Sequence, residues 1–150
     1  GGGYGVRWGY DTFDCMVGYD TAKEEELLGG GLQHIGPNGE LCIDANQAWT
    51  VPQAVQTIAR WHRHCNIDFV EGPVPVEPND LTQEVKRRIT PSICVNVGLW
   101  TYSDALRLAR SRAGDYLCFS PQWVGSLRRF LTVAHVAHHE GPIDCKHTHV

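Results

Sequence analysis

The sequence predicts an α/β fold built on a parallel sheet, and three observations support this prediction. Short apolar runs rich in strand-forming residues recur along the 150 residues at even intervals. Segments with helical periodicity lie between these runs. The six cysteines follow the same rhythm, since neighbouring cysteines stand 23 to 29 residues apart. Repeated strand–helix units of this length are typical of parallel strands joined by right-handed crossovers.

Six strands are predicted, one from each apolar run. Valine, isoleucine and aromatic residues, which favour strands, occur throughout the runs. The predicted strands are Thr12–Val17, Leu41–Asp44, Ile67–Glu71, Ser92–Val97, Tyr116–Phe119 and Ile143–His147.

The helical segments between the strands carry start and stop signals. Thr50 and Gln53 are typical of a capping box that opens a helix. Ser103 is the predicted N-cap of a later helix, which is expected to stop near Gly114. The first helix is the weakest, because three glycines at 29–31 interrupt it and each costs about 1 kcal/mol in a helix.

A (β/α)8 barrel is favoured over a doubly wound sheet, although both place parallel strands side by side. The strand spacing is even, and no glycine-rich phosphate loop follows a predicted strand. We therefore predict that residues 1–150 form a single domain, an incomplete (β/α)8 TIM-type barrel of about six βα units.

Composition places the chain among ordinary globular proteins and excludes several functions. The net charge is −4, and the basic residues sit in small groups rather than in a stripe, so nucleic acid is not an expected partner. No apolar run is long enough to span a bilayer, and residues 1–10 lack the features of a signal peptide. Without a CxxC pair, the cysteines are interpreted as small buried residues of a cytoplasmic protein in a reducing environment.

Polar residues stand where the predicted strands end. In a barrel these ends converge on the face where such folds bind ligands. Carboxylates brought together there repel each other unless a cation neutralises them, and Mg²⁺ prefers oxygen ligands. The alternative is local, because a single strand-end acid often forms a turn or caps a helix. The strand-end residues are Asp14, Asp44, Glu71, Asn96, Ser120 and His147.

Three stretches of the chain are recognisable as family motifs: CIDANQAWT, then DFVEGPVP, then PSICVNVGLWTYSDALRLA. They resemble the enolase superfamily, in its mandelate racemase and muconate lactonizing enzyme branch. The resemblance covers nearly the whole chain, as roughly the second to the seventh strands of a barrel. It implies that an amino-terminal capping domain, the first strand and the last strand are absent from this sequence.

The resemblance also implies a chemistry. Members of this family bind Mg²⁺ through three strand-end carboxylates and remove the proton beside the carboxylate of a small substrate, such as an acid sugar. By motif position, Asp44 matches the first ligand and Glu71 the second. Asn96 takes the place of the third acid, so one negative charge is missing and weak Mg²⁺ binding is expected.

The catalytic bases are the least complete part of the resemblance. The family's second strand carries a Lys-x-Lys pair; here Asp14, either a base or a turn acid, and Met16, interpreted as a core residue, occupy those positions. The alternative base is His147 with Asp115 as its partner, a carboxylate–imidazole dyad. Asp115 follows Gly114, however, and either ends or begins its strand. A racemase or an acid-sugar dehydratase with a single base is the expected reaction type.

Two other functions stay open. The carboxyl-terminal histidines could bind zinc, since His135 and His139 stand one helical turn apart. The chain could instead be a non-catalytic barrel relative or a poorly active fragment, because lysines and a third acid are missing. An incomplete barrel leaves strand edges unpaired, which favours association into homo-oligomers. The residues of the zinc alternative are His135, His138, His139, Cys145, His147 and His149.

Overall fold

The computed structural model describes residues 11–20, 22–26, 28, 39–96, 101–140 and 144–146. These residues contain six parallel strands, which match the six predicted runs to within one or two residues at each end. The strands are β1 Thr12–Met16, β2 Glu40–Asp44, β3 Ile67–Glu71, β4 Ser92–Val95, β5 Tyr116–Cys118 and β6 Asp144–Lys146.

Helices alternate with the strands, as the periodicity predicts. Residues 22–26 are helical, and five further helices have complete bounds within the described residues. In this part of the chain, no helix combines the length and the apolar character needed to cross a membrane. The five helices are α1 Val51–Trp61, α2 Asn79–Lys86, α3 Tyr102–Ser111, α4 Pro121–Val124 and α5 Leu127–Glu140.

The strand order of the sheet is the order of the chain, from β1 to β6. Each neighbouring pair is parallel. A doubly wound sheet reverses its strand order once, and the described strands show no such reversal. The prediction of an incomplete (β/α)8-type barrel over a doubly wound sheet is therefore confirmed.

The two faces of the sheet are buried in different ways. The outer face and the helices share one large core, in which Ile43, Ile58, Ile93 and Leu108 are at most 1% exposed. Burying each such side chain stabilises the fold by about 1.5–3 kcal/mol. A separate cluster on the inner face holds four buried residues, with Tyr116 packed against them. Its members are Cys42, Phe69, Cys94 and Cys118.

The start of α1 confirms the predicted capping box, whereas the predicted cap of α3 is wrong. Gln53 Oε1 accepts a hydrogen bond from the backbone N–H of Thr50 at 2.9 Å. The N-cap of α3 is Thr101, not Ser103, because the Thr101 hydroxyl accepts the backbone N–H of Asp104 at 3.1 Å. Asp104 lies three residues after Thr101, which is the spacing that reciprocal capping requires.

The end of α3 also differs from the prediction. The helix stops at Ser111, after which Arg112 takes a left-handed φ of 54°. Gly114 lies outside the helix, where a Cβ atom would stand 2.8 Å from Val95 Cγ2 and 3.1 Å from the Ile93 carbonyl oxygen. Glycine is therefore required for a close approach to β4 and not as a helix cap.

Candidate functional site

Three strand-end residues lie next to each other on the inner face of the sheet. Asp44 ends β2 and Glu71 ends β3, and the two are partners in the parallel register. Glu71 is in turn the partner of Cys94, and Asn96 follows two residues later, so its side chain is on the same face. The predicted convergence of Asp44, Glu71 and Asn96 is confirmed, while their role as metal ligands stays a prediction.

The loop after β2 holds Asp44 through its own backbone. The carboxylate accepts the N–H of Asn46 at 2.9 Å and the Asn46 side-chain amide at 3.3 Å, which makes an Asx turn. Asn46 and Gln47 then take left-handed φ angles of 47° and 62°. This conformation costs about 1–2 kcal/mol for a residue other than glycine. The Gln47 side chain offsets part of the cost by accepting the N–H of Val76 at 3.1 Å.

Backbone hydrogen bonds continue the sheet pattern beyond the strand ends. The N–H of Ala45 donates to the Glu71 carbonyl at 3.0 Å, and that of Gly72 donates to the Cys94 carbonyl at 3.1 Å. The N–H of Gln47 donates to the Gly72 carbonyl at 2.7 Å. Gly72 has a φ of +50°, which favours glycine. These bonds fix the backbone that carries the strand-end acids.

The Glu71 carboxylate is buried and accepts a hydrogen bond from an amide. The residue is 6% exposed, and Nδ2 of Asn96 donates to its Oε1. A buried carboxylate needs such donors, because removing it from water is costly. The amide is neutral, so this hydrogen bond stabilises the carboxylate without cancelling its charge.

Two cysteine side chains approach the same carboxylate. Cys94 and Cys118 are fully buried. One ligand atom from each and one oxygen of Glu71 all lie within 4.8 Å of one another. Sequence reasoning treated these cysteines only as small buried residues and missed this arrangement. The available signal was strand alternation, which places positions 94 and 96 on one face.

Asp115 lies at the opposite end of the sheet, so its predicted pairing with a strand-end histidine is wrong. It precedes β5 directly; its carboxylate stands 2.8 Å from Lys86 Nζ and accepts the N–H of Ile93 at 2.9 Å. Lys86 also donates to the Gly114 carbonyl at 3.2 Å. These contacts, called the Asp115 clamp, join α2, β4 and β5 at the amino ends of the strands. Of the two positions left open by the sequence, Asp115 therefore begins its strand.

Asp14 and Met16 lie on β1, at the edge of the described sheet. Asp14 is in the middle of the strand as the partner of Cys42, so its predicted place at the strand end is wrong. Met16 holds that place, as the partner of Asp44. Met16 is 63% exposed, which contradicts its interpretation as a core residue, because β1 is an edge strand of the described sheet. A role for Asp14 as a base stays a prediction.

Ser120 has a local role. It is 5% exposed and is the N-cap residue of α4. Its carbonyl accepts the N–H of Trp123 at 3.2 Å. Its hydroxyl makes no capping hydrogen bond to α4, so the residue holds the N-cap position through its backbone alone.

The histidines of the zinc alternative fall into two groups. His135, His138 and His139 lie exposed on α5. The grouping of three metal-type ligands found among the described residues does not include them. His147, the predicted base, and His149 lie outside the described residues.

The strand-end residues fit a hard cation in part. Asp44 and Glu71 offer carboxylate oxygens of the kind that Mg²⁺ prefers. Asn96 presents its Nδ2 to Glu71, so coordination through its amide oxygen requires the amide to turn and give up that hydrogen bond. The ligand set thus matches a magnesium site in which an amide takes the place of one of three carboxylates.

The sequential parallel strands, with acids at their carboxyl ends, define an incomplete barrel of the (β/α)8 type. A family model described as Enolase C-terminal domain-like matches residues 5–147. The chain therefore belongs to the enolase superfamily. Its relatives place it with the mandelate racemase and muconate lactonizing enzyme branch, as the motifs predict.

Three relatives illustrate the match. An N-succinyl-L-Arg/Lys racemase from Bacillus cereus is 22% identical over 94% of this chain and 38% of its own length. A dipeptide epimerase from Enterococcus faecalis, complexed with Mg and the dipeptide L-Leu-L-Tyr, is 23% identical with a TM-score of 0.88, over 97% of this chain and 41% of that chain. An L-talarate dehydratase from Polaromonas, complexed with Mg and L-glucarate, is 24% identical with a TM-score of 0.87, over 98% and 41%.

These relatives define the family as one of enzymes that include racemases, epimerases and dehydratases. The two solved structures share the fold of this chain at low sequence identity. The chain spans 38% to 41% of the length of the three relatives.

Proposed function

We propose that this chain supplies the metal-binding part of an active site that removes the proton α to the carboxylate of a small substrate. The reaction is of the racemase or acid-sugar dehydratase type, and the substrate is a small carboxylate such as an acid sugar. The observation that carries the proposal is the register that brings Asp44, Glu71 and Asn96 together at three consecutive strand ends. The magnesium in the dipeptide epimerase and L-talarate dehydratase structures supports it.

Asp44, Glu71 and Asn96 are the proposed ligands of Mg²⁺. Bound there, the ion would supply positive charge where negative charge develops on the substrate carboxylate. The protein's own contribution is to hold two carboxylates on a fixed backbone and to turn the Asn96 amide toward the ion. Because Asn96 brings no charge, binding is expected to be weaker than at a site with three acids.

His147 is the proposed base, and Asp14 is the second candidate. A histidine can accept a proton near neutral pH. Asp14 is exposed on the inner face of β1, because its neighbours Phe13 and Cys15 pack toward the helices. Since Asp115 lies at the other end of the sheet, any partner that orients the base must be another group. We expect the 150-residue chain alone to be poorly active.

A non-catalytic barrel relative is the second candidate function, and one observation favours it. The Asn96 amide donates to Glu71 at the position where a third acid would repel that residue. The site is thereby stabilised without a metal ion. A protein of this kind would keep the fold and lose the metal dependence.

Thermal melting with excess Mg²⁺ and with chelator tests the proposal. An ion that binds the native state alone stabilises it by mass action, by about 2.7 kcal/mol at 100 times the dissociation constant. We expect a stabilisation in the parent chain that is lost in an Asp44→Ala, Glu71→Ala double variant. A matched control is Asp80→Ala with Glu84→Ala, which removes two exposed acids from α2 and should keep the shift. A cooperative melt without any shift would favour the non-catalytic candidate.

Exchange of the substrate α-proton with deuterated solvent tests the chemistry. An acid sugar and an N-succinyl amino acid are suitable probes, because relatives act on compounds of these classes. We expect little exchange by this chain alone. Substantial Mg²⁺-dependent exchange would contradict the expectation of poor activity. Its loss in His147→Asn but not in Asp14→Asn would then identify the base.

A further inference from the structure

On the inner face of the sheet, the buried carboxylate of Glu71 lies close to two cysteine thiols. Cys94 and Cys118 are 0% exposed and Glu71 is 6% exposed. A ligand atom from each of the three lies within 4.8 Å of both others. Two sulfurs and one oxygen thus converge on one small volume at the end of the inner cluster.

The strand register explains why these side chains meet. Glu71 on β3 is the partner of Cys94 on β4. Cys94 is in turn the partner of Tyr116 on β5, and Cys118 lies two residues beyond Tyr116 on that strand. Side chains two residues apart share a face, which puts all three on the inner face. The arrangement therefore follows from the backbone and not from one flexible side chain.

This ligand set suits a softer cation than magnesium. Thiolates select zinc and similar ions, whereas magnesium prefers oxygen. Ligand atoms on one zinc ion, at about 2.0–2.3 Å from it, stand roughly 3.5 Å apart in a tetrahedron. The separations here are within 4.8 Å, so a small inward movement would close the site. Three protein ligands leave a fourth position for water or a substrate atom, which is the pattern of open zinc sites.

The three groups adjoin an apolar cluster on the inner face. Phe69 and Tyr116, which pack edge to face at 5.7 Å, belong to this cluster together with Cys94 and Cys118. A low-dielectric environment strengthens the attraction between a cation and its anionic ligands. Binding requires both thiols to lose their protons to solvent, which leaves two thiolates and one carboxylate around the ion.

We propose that Glu71, Cys94 and Cys118 form a binding site for a soft divalent cation of the zinc class. The site shares Glu71 with the proposed magnesium site but uses neither Asp44 nor Asn96 as a ligand. The two ions therefore compete, and the soft site does not depend on the proposed function. Its thiols also set it apart from the exposed histidines of α5.

Titration of the reduced, metal-free chain with Co²⁺ tests this site. We expect one ion per chain and an ultraviolet thiolate-to-cobalt charge-transfer absorption. The absorption should be lost in Cys94→Ala and in Cys118→Ala. It should persist in Cys65→Ala, which removes a cysteine that is 7% exposed and belongs to the outer core. Absence of the absorption in the parent chain, or its persistence in both site variants, would overturn the proposal.

X-ray absorption spectroscopy of the zinc-loaded parent chain keeps the test independent of how the variants fold. Two sulfur ligands at about 2.3 Å are expected. A coordination shell of nitrogen and oxygen alone would assign zinc to histidines and overturn the proposal. Asp44→Asn separates the two proposals, because it should abolish the magnesium stabilisation and leave the cobalt absorption unchanged. Loss of the cobalt absorption in Asp44→Asn would contradict a site built without Asp44.

Discussion

The two ends of the sheet use their acidic residues in different ways. At the amino end, the Asp115 clamp joins a carboxylate to Lys86 and to the N–H of Ile93, so one acid connects three elements. At the carboxyl end, the described hydrogen bonds to Asp44 and Glu71 come from amides of Asn46 and Asn96, which carry no charge. The first arrangement builds the fold. The second arrangement keeps two acids close together at a place where a cation could bind.

The largest effect on stability is expected from Asp115→Ala. This change leaves the Ile93 N–H without its acceptor and Lys86 without its carboxylate, so the free energy of unfolding should fall by about 2–3 kcal/mol. Urea denaturation measures the change. The matched control is Glu84→Ala, which breaks an exposed ion pair with Arg88 and should cost less than about 1 kcal/mol. If the Asp115→Ala variant were as stable as the control, the Asp115 clamp would not stabilise the fold, and the two ends of the sheet would not differ in this respect.

Asn96→Asp should have opposite effects with and without metal. Without metal, Glu71 loses a hydrogen-bond donor and gains a like charge, which should lower the free energy of unfolding by about 1.5 kcal/mol. With Mg²⁺, a third carboxylate should tighten binding by about tenfold or more, or about 1.4 kcal/mol. Melting in chelator and across a Mg²⁺ titration measures both effects. If Mg²⁺ stabilises the variant no more than it stabilises the parent, the missing charge at position 96 does not limit Mg²⁺ binding.

Substitutions at Gln47 test the backbone of the carboxyl end. Gln47→Ala should lower the free energy of unfolding by about 1 kcal/mol, because Val76 loses an acceptor for its N–H. Gln47→Gly loses the same bond but suits the left-handed φ of 62°, so it should be about 1 kcal/mol more stable than Gln47→Ala. At the helical residue Gln53 the order should reverse, since glycine costs about 1 kcal/mol more than alanine in a helix. Equal stabilities of the two Gln47 variants would show that no backbone strain is stored there.

A smaller effect is expected from Cys15 and Cys65, two thiols that belong neither to the Asp115 clamp nor to the carboxyl-end site and so provide a reference. Burial raises the pKa of Cys15, with a further contribution from Asp14, and burial and then Cys15 raise the pKa of Cys65. The unfolded chain therefore loses these protons first as the pH rises above about 8.5. The stability that the two raised pKa values contribute is complete below that pH and falls above it. Chemical denaturation at increasing pH should show a shallower decline in Cys65→Ala than in the parent; an equal decline would assign the slope to other groups.

The sequence was sufficient for the strands and for the central acids. Asp44 and Glu71 directly end apolar runs, so their place at the carboxyl ends follows from the run itself. The position of Asp115 could not be predicted in this way. β5 has only three residues, and Asp115 directly precedes this short apolar run, so the sequence leaves open whether the acid begins or ends its strand. The cap of α3 was misplaced because Thr101 and Ser103 are both good caps, and the choice depends on Asp104.

The closeness of Cys94 and Cys118 to Glu71 could not be predicted for a different reason. Each cysteine alone is typical of a buried residue, and four of the described cysteines are indeed buried. Their closeness depends on the register of β3, β4 and β5, which joins residues more than twenty positions apart. Local sequence patterns contain no information on such a register. Strand alternation can indicate which cysteines lie on the inner face of the sheet, but not which of them lie close together.

The backbone bonds that run past the strand ends have a consequence for how such a protein can change. The backbone bonds of Ala45, Gly72 and Gln47 do not involve the side chains at positions 71 and 96, whereas the Asp44 carboxylate itself holds its loop by accepting the Asn46 N–H. Glu71 and Asn96 can therefore change while the backbone under them stays in place. Asparagine and aspartate have nearly the same shape, so a single substitution at position 96 changes the charge beside Glu71 without requiring a different fold.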